Sequence, residues 1–431
     1  MTITIIGHGY VGLVTACVFS DFGNDVWVIG HTKEKINKLK KGDPIIYEPG
    51  LAELLQKNLK AKRIHFELDY ESVNHSEIVF ITVGTPPKET GEADLSAVFD
   101  VARNVAKNLS DSKNHFTVVS CKSTVPVGTN KKVEIILKKH KLKNAKFSVA
   151  SCPEFLREGT GIHDTINADR VVVGSDSKKA IDLLLELHKP INGKRVITDL
   201  SSAELIKYVS NAMLATKISF SNLISFYAEK VDADVEAVLD AVGLDKRIGR
   251  IFMSPGVGYG GSCLPKDVMA LIEVGKKLEI GSSFLIEVEK VNQMAKENFL
   301  NKILKNSPGK NVAIWGLAFK PNTDDIRFAP SIFIINSLLK EGFTIEVYDQ
   351  EAENNIKKLF GEKIKYATSP YHALKNADAL IILTEWNEFR QADLNKIKKL
   401  LTNPVVFDGR NIYDPSVLKK LGFRYFSIGR P

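Results

Sequence analysis

Cysteine is scarce in this chain. The four residues, Cys17, Cys121, Cys152 and Cys263, include no Cys-x-x-Cys pair, and no histidine cluster accompanies them. A zinc site or a disulfide framework is therefore not expected, no metal is assigned, and a reducing cytoplasm fits. Concentrated basic runs are also lacking. The net charge of +8 comes from lysines scattered among acids, without aromatic-basic interleaving, so nucleic acid is not an expected partner. The excess suits either an anionic small molecule or simply a solvated surface. No uninterrupted apolar run is long enough to span a bilayer, which excludes a membrane span. The apolar start lacks a basic n-region and is broken by glycines, so no signal peptide is expected. At 431 residues the chain is too long for one core, and two or three domains are expected.

What is present begins with a strand at residues 2–6, the run Gly7-His8-Gly9-Tyr10-Val11-Gly12, an apolar helix through about Phe22, and a second strand at 25–29. Strand, G-x-G-x-x-G, helix and strand in that order form the dinucleotide-binding fingerprint in its required context. The glycines allow a tight turn and close approach to a pyrophosphate, and the helix N-terminus offers N–H donors. Gly7, Gly9, Tyr10, Val11 and Gly12 are the candidate cofactor contacts. An acid normally ends the second strand and accepts from the ribose of NAD. Here Gly30 stands in that place, followed by His31, Thr32 and Lys33, and Glu34 lies too far into the next helix. A small residue before hydroxyl and cationic groups can take the 2′-phosphate of NADP. Gly30 and Lys35 join the cofactor contacts, and NADP stands beside NAD.

Alternation continues with strands at 78–83, 117–121 and 148–151 and a helix at 95–109. Ligands sit at the carboxyl ends of strands in doubly wound sheets. Thr85, Thr124, Glu154 and Glu158 occupy such ends. Near residue 200 the pattern turns to long helices, at 203 through about 230, 235–241, 267 to about 280, and 283–306. Glu204, Lys207 and Asn211 share one face of the first. Their polar row either reaches a substrate or is simply solvated. From Gly309 a second, shorter α/β unit follows, with strands at 311–315, 344–348, 379–383 and 404–407. Its rim carries Lys320, Arg327, Asp408 and Arg410. The expected fold is α/β: two Rossmann-like doubly wound domains, 1–199 and 299–431, joined by a central all-helical domain, 200–298, with one long helix.

Within the helical region, Pro-Gly-Val-Gly-Tyr-Gly-Gly-Ser-Cys-Leu-Pro-Lys-Asp at 255–267 crowds small and turn-forming residues before one cysteine. A thiol attacks as thiolate, and a nearby cation such as Lys266 favours that form. On these residues alone Cys263 is either a catalytic nucleophile or a buried structural thiol.

The chain resembles the nucleotide-sugar 6-dehydrogenases. The resemblance rests on residues 7–12, Pro-Ile-Ile-Tyr-Glu-Pro-Gly-Leu at 44–51, Lys-Ser-Thr-Val-Pro-Val-Gly at 122–128 and Pro-Glu-Phe-Leu-Arg-Glu-Gly at 153–159. It continues through Gly-Gly-Ser-Cys-Leu-Pro-Lys-Asp at 260–267, Gly-Leu-Ala-Phe-Lys at 316–320 and Phe-Asp-Gly-Arg-Asn at 407–411. It implies oxidation of UDP-glucose to UDP-glucuronate in two steps with two NAD⁺, through a thiohemiacetal and a thioester on Cys263. It also implies that Lys207 stabilises an oxyanion beside Asn211, that Glu154 is base for the hydrolytic water, and that Thr124 and Asp267 position water. Glu158, Lys266 and Arg327 become cofactor contacts.

The same resemblance assigns the sugar nucleotide to Phe252, Met253, Ser254, Pro255, Gly256, Gly260, Lys320 and Arg410. Glu154, Phe155, Leu156, Arg157, Glu158, Lys207 and Asn211 serve as further substrate contacts. Arg247 would reach the substrate of a neighbouring subunit in a homodimer, and the product would feed polysaccharide biosynthesis. The Cys-Leu-Pro-Lys-Asp version is similar to the glucose enzymes rather than those for acetamido sugars. The rivals are a UDP-N-acetylhexosamine dehydrogenase, a single-oxidation enzyme like the β-hydroxyacid dehydrogenases, and a non-catalytic nucleotide-sugar sensor.

Overall fold

The structure, a computed structural model, describes residues 1–431. The chain forms two compact units. One comprises Met1–Ser210 with Met269–Val274, the other Asn211–Val268 with Gly275–Pro431. Of the helical stretch expected at 200–298, residues 200–210 and 269–274 thus belong to the first unit and the rest to the second.

The first unit is built on eight strands: β1 Thr2–Ile6, β2 Asp25–Ile29, β3 Ile64–Glu67, β4 Ile78–Ile81, β5 Thr117–Cys121, β6 Phe147–Ser151, β7 Arg170–Gly174 and β8 Lys194–Thr198. Their order is β3-β2-β1-β4-β5-β6-β7-β8. Pairing is parallel from β3 through β6. β7 meets β6 antiparallel, Ser151 opposite Gly174, and β8 runs parallel to β7. Ile3, Ile5, Val28, Phe80 and Val118 are all fully buried, as central parallel strands must be when helices cover both faces. The helix Tyr10–Asp21 buries every residue from Gly12 to Ser20. It can lie that close because a Cβ on Gly12 would stand 2.0 Å from the Gly7 carbonyl oxygen, and Gly7 itself has φ +121°. Both positions require glycine.

The second unit carries β9 Asn311–Trp315, β10 Thr344–Tyr348, β11 Lys365–Tyr366, β12 Ala379–Ile382, β13 Val405–Asp408 and β14 Arg424–Phe426. They are all parallel in the order β11-β10-β9-β12-β13-β14. In both sheets the first strand is central, and the chain winds outward first one way and then the other. This is the strand order 3-2-1-4-5-6 of the dinucleotide-binding fold. The duplication read from the sequence is therefore present in topology. Trp315 and Phe389, both buried, stack 5.0 Å apart beneath this sheet.

The long helix spans Leu200–Lys230, and shorter ones cover Val235–Gly243, Leu264–Lys277 and Ser283–Asn306. The third starts three residues before the expected Asp267. Pro265 falls in its first turn, where a missing N–H costs nothing, so proline admits the helix there and does not delay it.

One buried histidine sets an acid response. His188 donates from Nδ1 to the Leu184 carbonyl at 2.7 Å, and its Nε2 lies 3.7 Å from Cys152 Sγ. Burial, with Lys122 nearby, pushes its pKa from 6.5 down to about 3. The unfolded chain takes this proton below 6.5 and the folded chain refuses it until about 3, so stability falls on acidification across that window. In denaturant melts at a series of pH values, His188→Gln should flatten that dependence by up to about 1.4 kcal/mol per pH unit. An unchanged slope would rule His188 out as its source.

Candidate active site

At the carboxyl edge of the first sheet the glycine turn leaves an open cradle. Nothing lies within 4 Å of a Cβ built on Gly9 or Gly84. Gly9 precedes the helix Tyr10–Asp21, whose first N–H groups face outward as anion donors. A dinucleotide pyrophosphate fits this arrangement of turn, exposed glycine and helix start. Tyr10 and Val11 are half-buried at that start. The Tyr10 hydroxyl accepts from Gly159 N at 2.6 Å, which ties the helix to the loop after β6.

The neighbouring loops are held by side chains. The Thr85 hydroxyl donates to the Thr124 carbonyl at 2.9 Å, joining the ends of β4 and β5. Glu204, buried on the long helix, takes Gly128 N at 2.6 Å with one oxygen and Asn130 N and Nδ2 at 2.7 Å with the other. Burial raises its pKa, and these donors oppose that rise. Glu48 accepts from Gly159 N and Gly161 N, each at 2.6 Å. The segment 153–159 is thereby pinned at its far end.

That segment carries Glu154. Its Oε1 pairs with Lys207 Nζ at 2.9 Å, and both side chains are buried. Its Oε2 accepts from Leu156 N at 2.8 Å. Phe155 lies under two cations, 4.0 Å from the Arg170 guanidinium and 5.3 Å from Lys207 Nζ to the ring centre. Arg157 is exposed and forks onto Asp164, while Glu158 is half-buried beside it.

In the second unit Asn211 donates from Nδ2 to Asp267 Oδ2 at 2.5 Å, and the other oxygen of Asp267 meets Lys266 Nζ. Asp267 is 1 % exposed. Cys263 is exposed, immediately before the helix Leu264–Lys277, and its carbonyl accepts from Asp267 N at 3.0 Å. The alternative of a buried structural thiol is thereby removed. Cys17, Cys121 and Cys152 are the buried ones, and burial pushes the first two up to about 12.

The loop leading to Cys263 is anchored in the same unit. Phe252 adopts φ 64°, an unfavourable conformation for a bulky side chain. Arg250 holds that turn: its Nη1 donates to the carbonyl of Met253 and, at 3.3 Å, to Ser254 Oγ. Gly256 N donates to Asn222 Oδ1 at 2.8 Å. A Cβ on Gly260 would stand 2.3 Å from the Phe328 carbonyl oxygen. Pro255 is buried. Arg410 donates to the Leu383 and Phe319 carbonyls at 2.8 and 3.2 Å. Lys320 lies over Phe319, 5.6 Å from the ring centre, and Arg327 is exposed beside Asp325. Arg247 is exposed and paired with Asp245.

The structure thus brings together Glu154 with Lys207, Thr85 with Thr124, and Asn211 with Asp267 and Lys266. Gly30 and Lys35 lie by the end of β2, away from all of these in sequence. Sequence reasoning gave no role to Glu48, Arg170 or Arg250. The motif at 44–51 was the available signal for Glu48, but its hydrogen-bond partners lie more than 100 residues on.

Family models of the UDP-glucose/GDP-mannose dehydrogenases match the chain in three parts. These are the NAD binding domain over residues 1–192, the central domain over 201–294 and the UDP binding domain over 313–415. UDP-glucose 6-dehydrogenase TuaD of Bacillus subtilis is 44% identical over all of this chain and 93% of its own length. The UDP-glucose 6-dehydrogenase of Pseudomonas aeruginosa is 41% identical over all of this chain and 98% of its own. Among solved structures, a UDP-glucose dehydrogenase from Pyrobaculum islandicum superposes with a TM-score of 0.92 at 35% identity, covering 100% of this chain and 98% of that one.

The buried pair makes a specific demand. Glu154→Gln or Lys207→Met alone strands an ion and should cost about 3 kcal/mol of unfolding free energy. The double variant should lose less than the sum of the two. Strictly additive losses in denaturant melts would show that the pair is uncoupled.

Proposed function

This chain is an oxidoreductase of the UDP-glucose/GDP-mannose dehydrogenase family with a NAD-binding domain, and on that footing we propose that it oxidises UDP-glucose twice, to UDP-glucuronate. One observation carries the proposal: an exposed cysteine stands immediately before a helix whose first turn carries Lys266 and Asp267, and Asp267 is bonded to Asn211 of the long helix. A helix N-terminus and a neighbouring ammonium favour the thiolate, the form that attacks a carbonyl. The match to a UDP-binding domain at 313–415 and the relatives acting on UDP-glucose support the substrate.

Bound NAD⁺ supplies the hydride acceptor for each oxidation. In the first, the C6 alcohol loses a hydride and a proton and becomes an aldehyde. Cys263 sulfur then bonds to C6, giving a thiohemiacetal whose oxygen carries the charge that Lys207 neutralises. Asn211 holds that oxygen or an ordered water beside it. Loss of the second hydride leaves a thioester. Water, deprotonated by Glu154 and positioned by Thr124 and Asp267, adds to C6 and expels the thiolate. The sum consumes one water and releases two reduced cofactors, UDP-glucuronate and three protons. Covalent capture keeps the reactive aldehyde from leaving between steps. Glu158, Lys266 and Arg327 are assigned to the cofactor. The anchored turn 252–256, Gly260, Lys320 and Arg410 are assigned to the sugar nucleotide. The cytoplasm suits a thiol that must stay reduced.

The working form is a homodimer in this reading. Leu205, Val209, Met213, Phe220 and Tyr227 are all exposed on the helix Leu200–Lys230. They recur at intervals of four and seven residues, a stripe that a second copy would cover. Arg247 is the residue assigned to the neighbour's substrate.

With limiting UDP-glucose, absorbance should record two reduced cofactors per sugar. One per sugar would remove the nucleophile's role from Cys263, and reaction only with an acetamido sugar would move the substrate assignment. Cys263→Ser should abolish net acid formation, and turnover that survives it would favour a single oxidation. Met213→Glu with Phe220→Glu should lower the mass seen by light scattering to that of one chain; an unchanged mass would place the contact elsewhere.

A further inference from the structure

In sheets of this order the residue after the second strand reads the adenosine ribose. An acid there accepts from the 2′-hydroxyl, whereas a nearby cation accommodates a 2′-phosphate. β2 ends at Ile29, and Gly30 follows. A Cβ built on Gly30 would stand 2.8 Å from His8 Nδ1 and 2.6 Å from Ile36 Cδ1. The imidazole of His8, contributed by the first glycine turn, thus fills the place in which an acid's side chain would start. His8 is 5 % exposed, and its Nδ1 has no hydrogen-bond partner. A buried nitrogen left so is unfavourable, and a ligand oxygen would offset that.

Two further basic groups border this ring. His31 lies with its ring centre 5.1 Å away, and both His31 and Lys35 are exposed. Burial first, and then the charges of His31 and Lys35, lower the pKa of His8 to about 4, so both side chains act on the same spot. The nearby acids are occupied or turned away. Glu67 accepts from Ser72 N at 3.3 Å and from its hydroxyl. Glu34, with 82% of its side chain exposed, faces Lys38 at 4.0 Å. Neither carboxylate stands directly after β2, where a ribose-reading acid would.

We propose that the ribose end of the cofactor site is built for a 2′-phosphate. His8 closes the position of a ribose-reading acid, Lys35 supplies positive charge, His31 offers a ring N–H to the phosphate, and the chain takes NADP⁺ as well as NAD⁺. This rests on the dinucleotide reading of the first unit and is independent of which sugar is oxidised.

Calorimetry on the full chain with 5′-AMP and adenosine 2′,5′-bisphosphate tests it without turnover. The bisphosphate should bind at least tenfold tighter, and Lys35→Ala and His31→Ala, both surface changes, should each reduce that ratio about threefold or more. Gly30→Asp combined with His8→Ala, which makes room for the acid, should invert the ratio. Binding of 5′-AMP as tight as the bisphosphate would overturn the proposal, as would a ratio that both surface variants leave unmoved. If neither nucleotide nor NAD⁺ binds, the dinucleotide reading falls and the proposal with it.

Discussion

Loops at the ends of parallel strands carry backbone N–H groups that no neighbouring strand can satisfy. In this chain buried carboxylates satisfy them, and the positions of the functional side chains depend on that solution. Glu48 takes Gly159 and Gly161, and Glu204 takes Gly128 and Asn130. In the second unit Asp349 takes Leu317, Ala318, Glu351 and Ala352, while Asp408 takes Arg410, Ile412 and Tyr413. An acid so placed is expensive to bury without its donors, and the loop N–H groups would be unsatisfied without the acid. The pairing fixes the loops that carry Thr124, Glu154 and Arg410.

The duplicated sheets show how one position diverges. The second strand of each sheet is followed by Gly30 in the first unit and by Asp349 in the second. Asp349 resembles a ribose-reading acid by position, yet its oxygens are consumed by Leu317, Ala318 and the Trp386 indole, which braces the turn after β9. Where an acid would read a nucleotide there is none, and where an acid is present it holds the fold. Topology alone therefore assigns no ligand to either place.

Much of this was legible in the sequence, for physical reasons. Strands buried on both faces read as mostly apolar runs, which is why β1, β5 and β9 lie where the residues indicate, while β10 shows itself by the alternation of Ile345 and Val347 with half-buried or exposed neighbours. The glycine run at 7–12 has few other uses between a strand and a helix. β8 escaped because an edge strand buries none of its five residues, and Lys194-Arg195 reads as surface. β11 has only two residues and no periodicity to detect. The polar row Glu204, Lys207, Asn211 was visible as spacing. Its division of labour was not, because Glu204 serves a loop 74 residues earlier while Lys207 meets a carboxylate 53 residues earlier.

The helix Leu200–Lys230 passes from one compact unit to the other between Ser210 and Asn211. Lys207 and Asn211 sit on either side of that passage, on one face of the helix. A helix turns about 100° per residue, so a single residue gained or lost between them would swing one group away from the other's face. The stretch is therefore closed to changes of length, though open to many changes of side chain. The turn at 88–93, spanned by one short backbone bridge at the surface, has no such restriction. Variation in length among chains of this kind should collect in such turns and stop at this helix.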